Sequence, residues 1–175
     1  MHPTLIPEKR LIANVDGVMN AVLVKGDAVG PTLYYGAGAG AEPTASAVVA
    51  DVVDVVRVLT ADPENRVPHL AFQPDSLADL PILPMADVET AYYLRMEASD
   101  KPGVLADVTR ILADTGISIE AMMQKEPTDE ATTVPVIILT HRVNEGQMND
   151  AISQIEALDT IQGKITRIRL ESLDA

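Results

Sequence analysis

Two short stretches hold residue types that suit ligand chemistry. The first is Gly36-Ala37-Gly38-Ala39-Gly40-Ala41-Glu42-Pro43-Thr44, which closes a candidate strand and opens a candidate helix. Gly36, Gly38 and Ala41 match the G-x-G-x-x-A spacing of dinucleotide-binding turns. There, missing side chains admit a pyrophosphate to the backbone and the free amides of a helix start hold its charge. Taken alone the spacing is weak. No strand follows the helix before a proline-rich stretch, so this is not the first βαβ unit of a doubly wound domain. A tight glycine turn that packs a helix on a sheet accounts for the same residues. The second stretch is Asp100-Lys101-Pro102-Gly103-Val104-Leu105, between a candidate strand and a candidate helix. Gly103 lets a ligand approach the backbone, and the first amides of the helix carry partial positive charge that suits an amino-acid carboxylate. Asp100 suits a ligand ammonium, or simply caps the helix; ordinary capping is the competing explanation.

Other chemistries find little support. The chain has no cysteine, which excludes disulfides and cysteine-based zinc sites. His2, His69 and His141 lie far apart and form no HxxxH pair, so no metal site is expected. Lys9 and Lys25 sit in no recognisable catalytic context, and no catalytic residue is assigned. The net charge of −13 argues against nucleic acid or an anionic membrane as a partner, since both need a basic face. The opening MHPTLIPEKR lacks the apolar run of a signal peptide, and Asp51 and Asp54 interrupt the longest apolar stretch. A cytoplasmic protein is the expectation.

The elements that must position these stretches fall into three segments. Apolar residues make up 47% of the chain and aromatics only 3%, so any core is built of aliphatic side chains. In residues 1–60, Leu11–Val15, Asn20–Lys25 and Val29–Tyr35 read as strands of an antiparallel β-meander, with turns at Asp16-Gly17 and Gly26-Asp27. A helix from about Glu42 to Leu59 follows. It is apolar nearly all round, which predicts burial or close packing on a sheet. Residues 61–90 carry Pro63, Pro68, Pro74, Pro81 and Pro84 with six acids against Arg66, and read as a linker.

Residues 91–171 show the cleanest periodicity. Ala91–Ala98 reads as a strand. A helix follows with Val104, Leu105, Val108, Ile111 and Leu112 on one face, Pro102 in its first turn, Asp100 as cap and Gly116 as stop. Ile117–Gln124 is expected as a strand with Ile117, Ile119, Ala121 and Met123 alternating against Ser118, Glu120 and Met122. Met122 and Met123 are assigned to core or sheet surface. A polar turn spans 125–132 and a strand Thr133–Arg142. Asn144 caps a second helix whose inner face carries Met148, Ile152, Ile155 and Leu158. Gly163 precedes a last strand with Thr166, Ile168 and Leu170 on one side. The order is βαββαβ, a ferredoxin-like sandwich, and the chain as a whole is α+β.

Within that order, the junction Tyr93-Leu94-Arg95-Met96-Glu97-Ala98-Ser99-Asp100-Lys101-Pro102-Gly103-Val104-Leu105 resembles the ACT family, whose members read D-x-P-G-V-L at this place. The resemblance covers about residues 91–171. It implies an effector site at Asp100, Pro102, Gly103, Val104 and Leu105, shared with the edge residues Ile117, Ser118 and Ile119 of the following strand, between two copies of the domain. A homo-oligomer is implied, and residues 88–175 are expected to self-associate.

The first segment resembles the end of the catalytic region of homoserine dehydrogenases. The residues that carry this are Ala13-Asn14-Val15-Asp16-Gly17-Val18-Met19-Asn20-Ala21-Val22, Gly26-Asp27, Val29-Gly30 and Tyr35 through Asp51. The resemblance implies an NADP- or NAD-dependent interconversion of L-homoserine and L-aspartate 4-semialdehyde in threonine, methionine and isoleucine biosynthesis, under feedback control by an amino acid, threonine first. It implies that Gly40 approaches the cofactor with Gly38, Ala39, Glu42 and Thr44 beside it, and that the helix packs back on the nucleotide-binding domain. The family's nucleotide-binding fingerprint, catalytic lysine and substrate-binding acids have no counterpart here. The chain is therefore expected to be a C-terminal part of such an enzyme, with no catalytic residue of its own and no activity alone. The alternative is a non-catalytic ACT-type module that senses an amino acid, with residues 1–60 as an adaptor.

Overall fold

A computed structural model describes residues 2–61, 72–125 and 132–173. In chain order the described elements are β1 (Thr4–Leu5), β2 (Met19–Gly26), β3 (Gly30–Ala37), α1 (Ala41–Thr60), β4 (Glu89–Ser99), α2 (Val104–Asp114), β5 (Ile119–Gln124), β6 (Thr133–Thr140), β7 (Val143–Asn144), α3 (Glu145–Glu156) and β8 (Ile161–Leu170). They form two compact units, one of Met1–Pro7 with Ile82–Asp174 and one of Glu8–Pro81.

The larger unit follows the expected βαββαβ order as β4-α2-β5-β6-α3-β8. Its sheet runs β1-β8-β4-β6-β5, with the short β7 paired to β4. The period-two pattern of the central strands decides which face is buried. Thr90, Tyr92, Leu94, Met96 and Ala98 of β4 and Val134, Val136, Ile138 and Thr140 of β6 point to one side. There they meet Val104, Val108 and Leu112 of α2 and Met148, Ala151 and Ile155 of α3. Leu105, Ile111, Ile152 and Leu158 pack around this cluster partly buried. The opposite sheet face holds Tyr93, Ile137, Leu139 and, in register with β4, Thr166, Ile168 and Leu170 of β8. The last three do lie on one side, but it is the side away from the helices.

The helix stops in this unit are local chemistry. Gly116 stands at φ +76, its amide bonds to Ala113 O at 2.9 Å, and the amide of Ile117 bonds to Leu112 O at 2.8 Å, which closes α2. Asn144 caps α3 by accepting from the amide of Gly146 at 2.9 Å.

Four expectations in this unit need correction. Asp100 does not cap α2 and Pro102 is not in its first turn: Gly103 itself is the N-cap, in the left-handed region at φ +96, so the helix starts at Val104. Ile117 and Ser118 precede β5, because Ile117 is spent on closing α2. The alternation along β5 breaks, since an irregularity between Ile119 and Ala121 sets Ala121 opposite Leu139 and Met122 opposite Ile138. Gly163 lies inside β8 at φ +72, next to a register shift between Arg95 and Glu97 on β4, and so bends the strand instead of preceding it. The expected turn over 125–132 lies mostly outside the described residues.

The smaller unit holds a two-stranded antiparallel hairpin, β2 with β3, from Met19↔Ala37 to Gly26↔Gly30. Both expected turns occur, at Gly17 (φ +64) and after Gly26. Leu11–Val15, expected as a third strand, forms a 3₁₀ turn at Leu11–Asn14. The side-chain amide of Asn14 donates to the carbonyls of Glu8 and Arg10 at 3.1 and 2.9 Å, which offers the backbone a local alternative to a sheet ladder. The helix is α1, but the expected burial is not found among the described residues. No residue of α1 is buried, and Val48, Val49, Val52, Val53, Val55 and Val56 are all exposed. The apolar all-round pattern therefore has no packing partner among the described residues. Of the segment expected as a linker, the described part contains short 3₁₀ turns at Pro74–Ser76 and Met85–Asp87, and residues 62–71 lie outside the described ones. No described helix is long and apolar enough to cross a membrane.

Candidate functional site

The Asp100–Leu105 loop lines a cavity of about 320 Å³ at the junction of β4 and α2. The end of β5 and the start of β6 complete the wall through Gln124, Val134 and Val136. Gly103 accepts from the amide of Asp107 at 3.0 Å, and no side chain caps the helix start. The amide of Val104 donates to Lys101 O at 3.5 Å, which leaves the amides of Leu105 and Ala106 with donor capacity for a guest. A Cβ on Gly103 would meet nothing within 4 Å, so space is open there, and the backbone conformation is what calls for glycine. Asp100 is exposed, with its amide bonded to Thr132 O at 3.3 Å and its carboxylate left out of the cap.

The edge residues are elsewhere. Ile119 opens β5 and Gln124 ends it, so Ile119 stands roughly 17 Å along the strand from Gln124, which lines the loop's cavity, at a rise of ~3.3 Å per residue, and Ile117 and Ser118 precede Ile119 in the chain. Within one copy the structure brings Asp100–Leu105 together with Gln124, not with Ile117–Ile119. Sequence reading assigned Gln124 only to the end of a strand; the signal was the β-hairpin register, which returns β5 to the level of the loop. A second cavity, of about 440 Å³, lies at the far end of the sheet between Leu5–Pro7 and Thr140–Arg142. Its floor connects to the edge residues, because the amide of His141 bonds to Ser118 O at 2.9 Å.

Sequence reading missed a buried polar cluster. Glu145, the first residue of α3, is 4% exposed. It accepts from the hydroxyl of Tyr92 at 2.8 Å and from Arg169 Nε at 2.9 Å, with Arg167 at 3.2 Å and stacked over the Tyr92 ring. Burial works against the charge of Glu145, but the hydrogen bonds from Arg169 and Tyr92 and the charge of Arg167 outweigh it and hold its pKa below the usual carboxylate value. Burial, reinforced by the bond to Glu145, pushes the Tyr92 hydroxyl up to about 12. Arg167 and Arg169 alternate with Thr166, Ile168 and Leu170 in sequence, and that alternation was the available signal. Every member of the cluster is partnered, so it ties α3 to β4 and β8.

In the smaller unit, Gly38, Ala39, Gly40, Glu42 and Thr44 stand together and exposed, as the turn from β3 into α1. Gly40 is the N-cap at φ +124 and accepts from the amide of Thr44 at 3.2 Å; no side chain caps this helix either. A Cβ on Gly38 would collide with the side chain of Asn20, its nearest atom 1.9 Å away, so the glycine lets the turn close on β2. The turn thus offers what a dinucleotide needs, a backbone bare of side chains beside free helix-start amides.

Comparison with known proteins bears on both sites. Residues 1–53 match the homoserine dehydrogenase family and residues 92–160 match the ACT domain. A homoserine dehydrogenase of Pseudomonas aeruginosa is 65% identical over 174 residues, which is 99% of this chain and 40% of that protein. One of Neisseria gonorrhoeae is 57% identical over 173 residues, again 99% of this chain and 40% of the relative. The crystal structure of a homoserine dehydrogenase from Thiobacillus denitrificans superimposes with a TM-score of 0.88 at 71% identity, covering 99% of this chain and 38% of that one. The chain thus spans about 40% of the length of the curated relatives it matches. Both of its segments match in order, and its whole length aligns at high identity with the C-terminal part of homoserine dehydrogenases, ACT domain included.

Proposed function

We propose that this chain serves an enzyme interconverting L-homoserine and L-aspartate 4-semialdehyde with NADP or NAD, and that its ACT unit binds a small amino acid, threonine first, to control that enzyme. The identity of 65% over 99% of the chain to a homoserine dehydrogenase carries the first part. The cofactor supplies the hydride acceptor. This chain's part is a wall: Gly38, Ala39 and Gly40 bring bare backbone, the α1 amides bring partial positive charge, and Glu42 and Thr44 flank them. The exposed valines of α1 fit the same reading, since a helix apolar all round needs a surface to cover it and the remaining part of the enzyme would provide one. An adaptor for a stand-alone sensor has no use for such a helix. Hydride transfer also needs a complete nucleotide-binding domain and a proton-transferring group, so the chain alone should not oxidise homoserine. An assay following NADPH absorbance checks this. Turnover by the chain alone would overturn the division of labour, and a longer enzyme carrying Gly40→Val with normal cofactor affinity would remove the glycine turn from the site.

For the ACT unit, the separation of loop and edge supports a site shared by two copies. β5 is an outer strand of the sheet. If two β5 strands pair antiparallel, Ile119 of one copy comes level with Gln124 of the other, and Ile117–Ile119 meet the partner's Asp100–Leu105 loop. The ligand carboxylate then takes the α2 amides and its ammonium takes Asp100, a carboxylate free of any capping duty. Gly103→Asp puts a negative side chain into the carboxylate position. Calorimetry with threonine should show binding to the unaltered protein and none to this variant; equal binding by both would exclude the loop. A cytoplasmic location fits a biosynthetic enzyme and is part of this reading.

A further inference from the structure

We infer that β1, within the stretch His2–Pro7, is an edge strand that closes the end of one side of the ACT sheet and directs pairing between copies to β5. The inference builds on the reading of β5 as the pairing edge. Without β1 the sheet would have two flanks, β5 and β8, and an unpaired flank is a template for another chain. The flank of β8 is engaged at its start, its middle and its end. Near its start, the amide of Ile161 bonds to Leu158 O at 3.1 Å. Further on, the amide of Ile165 bonds to the carboxylate of Glu156 at 2.9 Å, and the same carboxylate holds Lys164. At its end β1 pairs in parallel, Thr4↔Arg169 and Leu5↔Leu170, and the amide of Glu171 bonds to Leu5 O at 3.0 Å.

β1 is itself a poor template. It is two residues long and stands between Pro3 and Pro7, which have no amide hydrogen to donate. β5 differs on each count. It runs six residues, contains no proline, and exposes Met122 and Met123 at 45% and 56%. The closing strand lies in the stretch that matches the dehydrogenase family, and β4, β6 and β5 of the same sheet lie in or overlap the ACT match, with β8 following directly after it. The consequence is geometric. One open edge pairs once about a two-fold axis and is finished, while two open edges on opposite flanks add copies without limit.

The chain has no cysteine, so single substitutions report each edge by disulfide cross-linking. Met123→Cys reports β5 and Thr166→Cys reports β8. Each is compared in the intact chain and in a chain lacking residues 2–6, a deletion that removes no buried side chain. Met123→Cys should cross-link in both backgrounds. Thr166→Cys should cross-link poorly in the intact chain and gain on the order of ten-fold in yield after the deletion. Equal Thr166→Cys yields in the two backgrounds, high or low, would overturn the inference. Failure of Met123→Cys in both would overturn the β5 reading alone, because the change at Thr166 still decides whether β1 closes its edge.

Discussion

The two units treat apolar residues in opposite ways. Every buried side chain among the described residues lies between Thr90 and Ile165, in the ACT unit. In the smaller unit α1 is rich in valine and buries nothing. Composition does not separate them, since both are aliphatic. Periodicity does. In β4 and β6 apolar residues on alternate positions aim at one face, and α2 and α3 supply the second layer from within the same ninety residues. In α1 the apolar residues surround the helix, so no single neighbour could cover them, and the two-stranded hairpin beside it in sequence offers no such cover. The ACT unit has its core within itself. The smaller unit has an apolar surface whose core must be completed by another surface.

The largest expected effect tests that contrast. Leu94→Ala removes a fully buried side chain and should cost about 3–4 kcal/mol in a urea titration of the chain. Val52→Ala on α1 should cost under ~0.5 kcal/mol in the same chain. In a longer enzyme that covers α1 the valine substitution should become measurably destabilising. A cost for Val52→Ala in the chain by itself would show α1 to be packed after all.

The next effect concerns what locks the ACT unit beyond aliphatic packing. Glu145→Gln leaves Arg169, at 12% side-chain exposure, without its counter-charge, and should cost about 3 kcal/mol at neutral pH. The sign with pH follows from a folded pKa below the unfolded one. The carboxylate's contribution is complete above the unfolded value of ~4.3 and is lost as pH falls through the folded value, so the gap between the two proteins should narrow in acid. A gap constant from neutral to acid pH would mean that packing, not charge, accounts for the loss.

Smaller effects separate the two readings of the loop. Gly103→Ala should cost about 1–2 kcal/mol through its left-handed backbone, since no neighbour crowds the added Cβ. Asn144→Ala removes a true side-chain cap and should cost about 1 kcal/mol. Asp100→Ala should change stability least, under ~0.5 kcal/mol, because it caps nothing, yet it should weaken threonine binding. Thermal melts beside calorimetry check all three. Stability lost at Asp100 without loss of binding would return that residue to a structural role.

Much of this was legible in the residues alone. The βαββαβ order followed from apolar spacing, because period two and period three-to-four are what strands and helices impose on any one-sided element. Gly116 and Asn144 were readable as a stop and a cap because those functions are local. The glycine turn before α1 was readable for the same reason, with the helix expected from about Glu42 and found from Ala41. Where the chain's own local bonds competed, sequence reading failed: Asn14 folds back on Glu8 and Arg10 and turns an expected strand into a 3₁₀ turn. What only the tertiary structure decided depends on residues far apart in sequence. Glu145 meets Tyr92 across 53 positions and Arg169 across 24, and no periodicity encodes such a meeting. The β5–β6 register sets Gln124 at the Asp100 loop and sends Ile117–Ile119 to the far end. The pairing of Thr4 with Arg169 closes an edge that no local pattern in either strand announces, since a strand's partner is chosen by where the chain returns and not by the residues beside it.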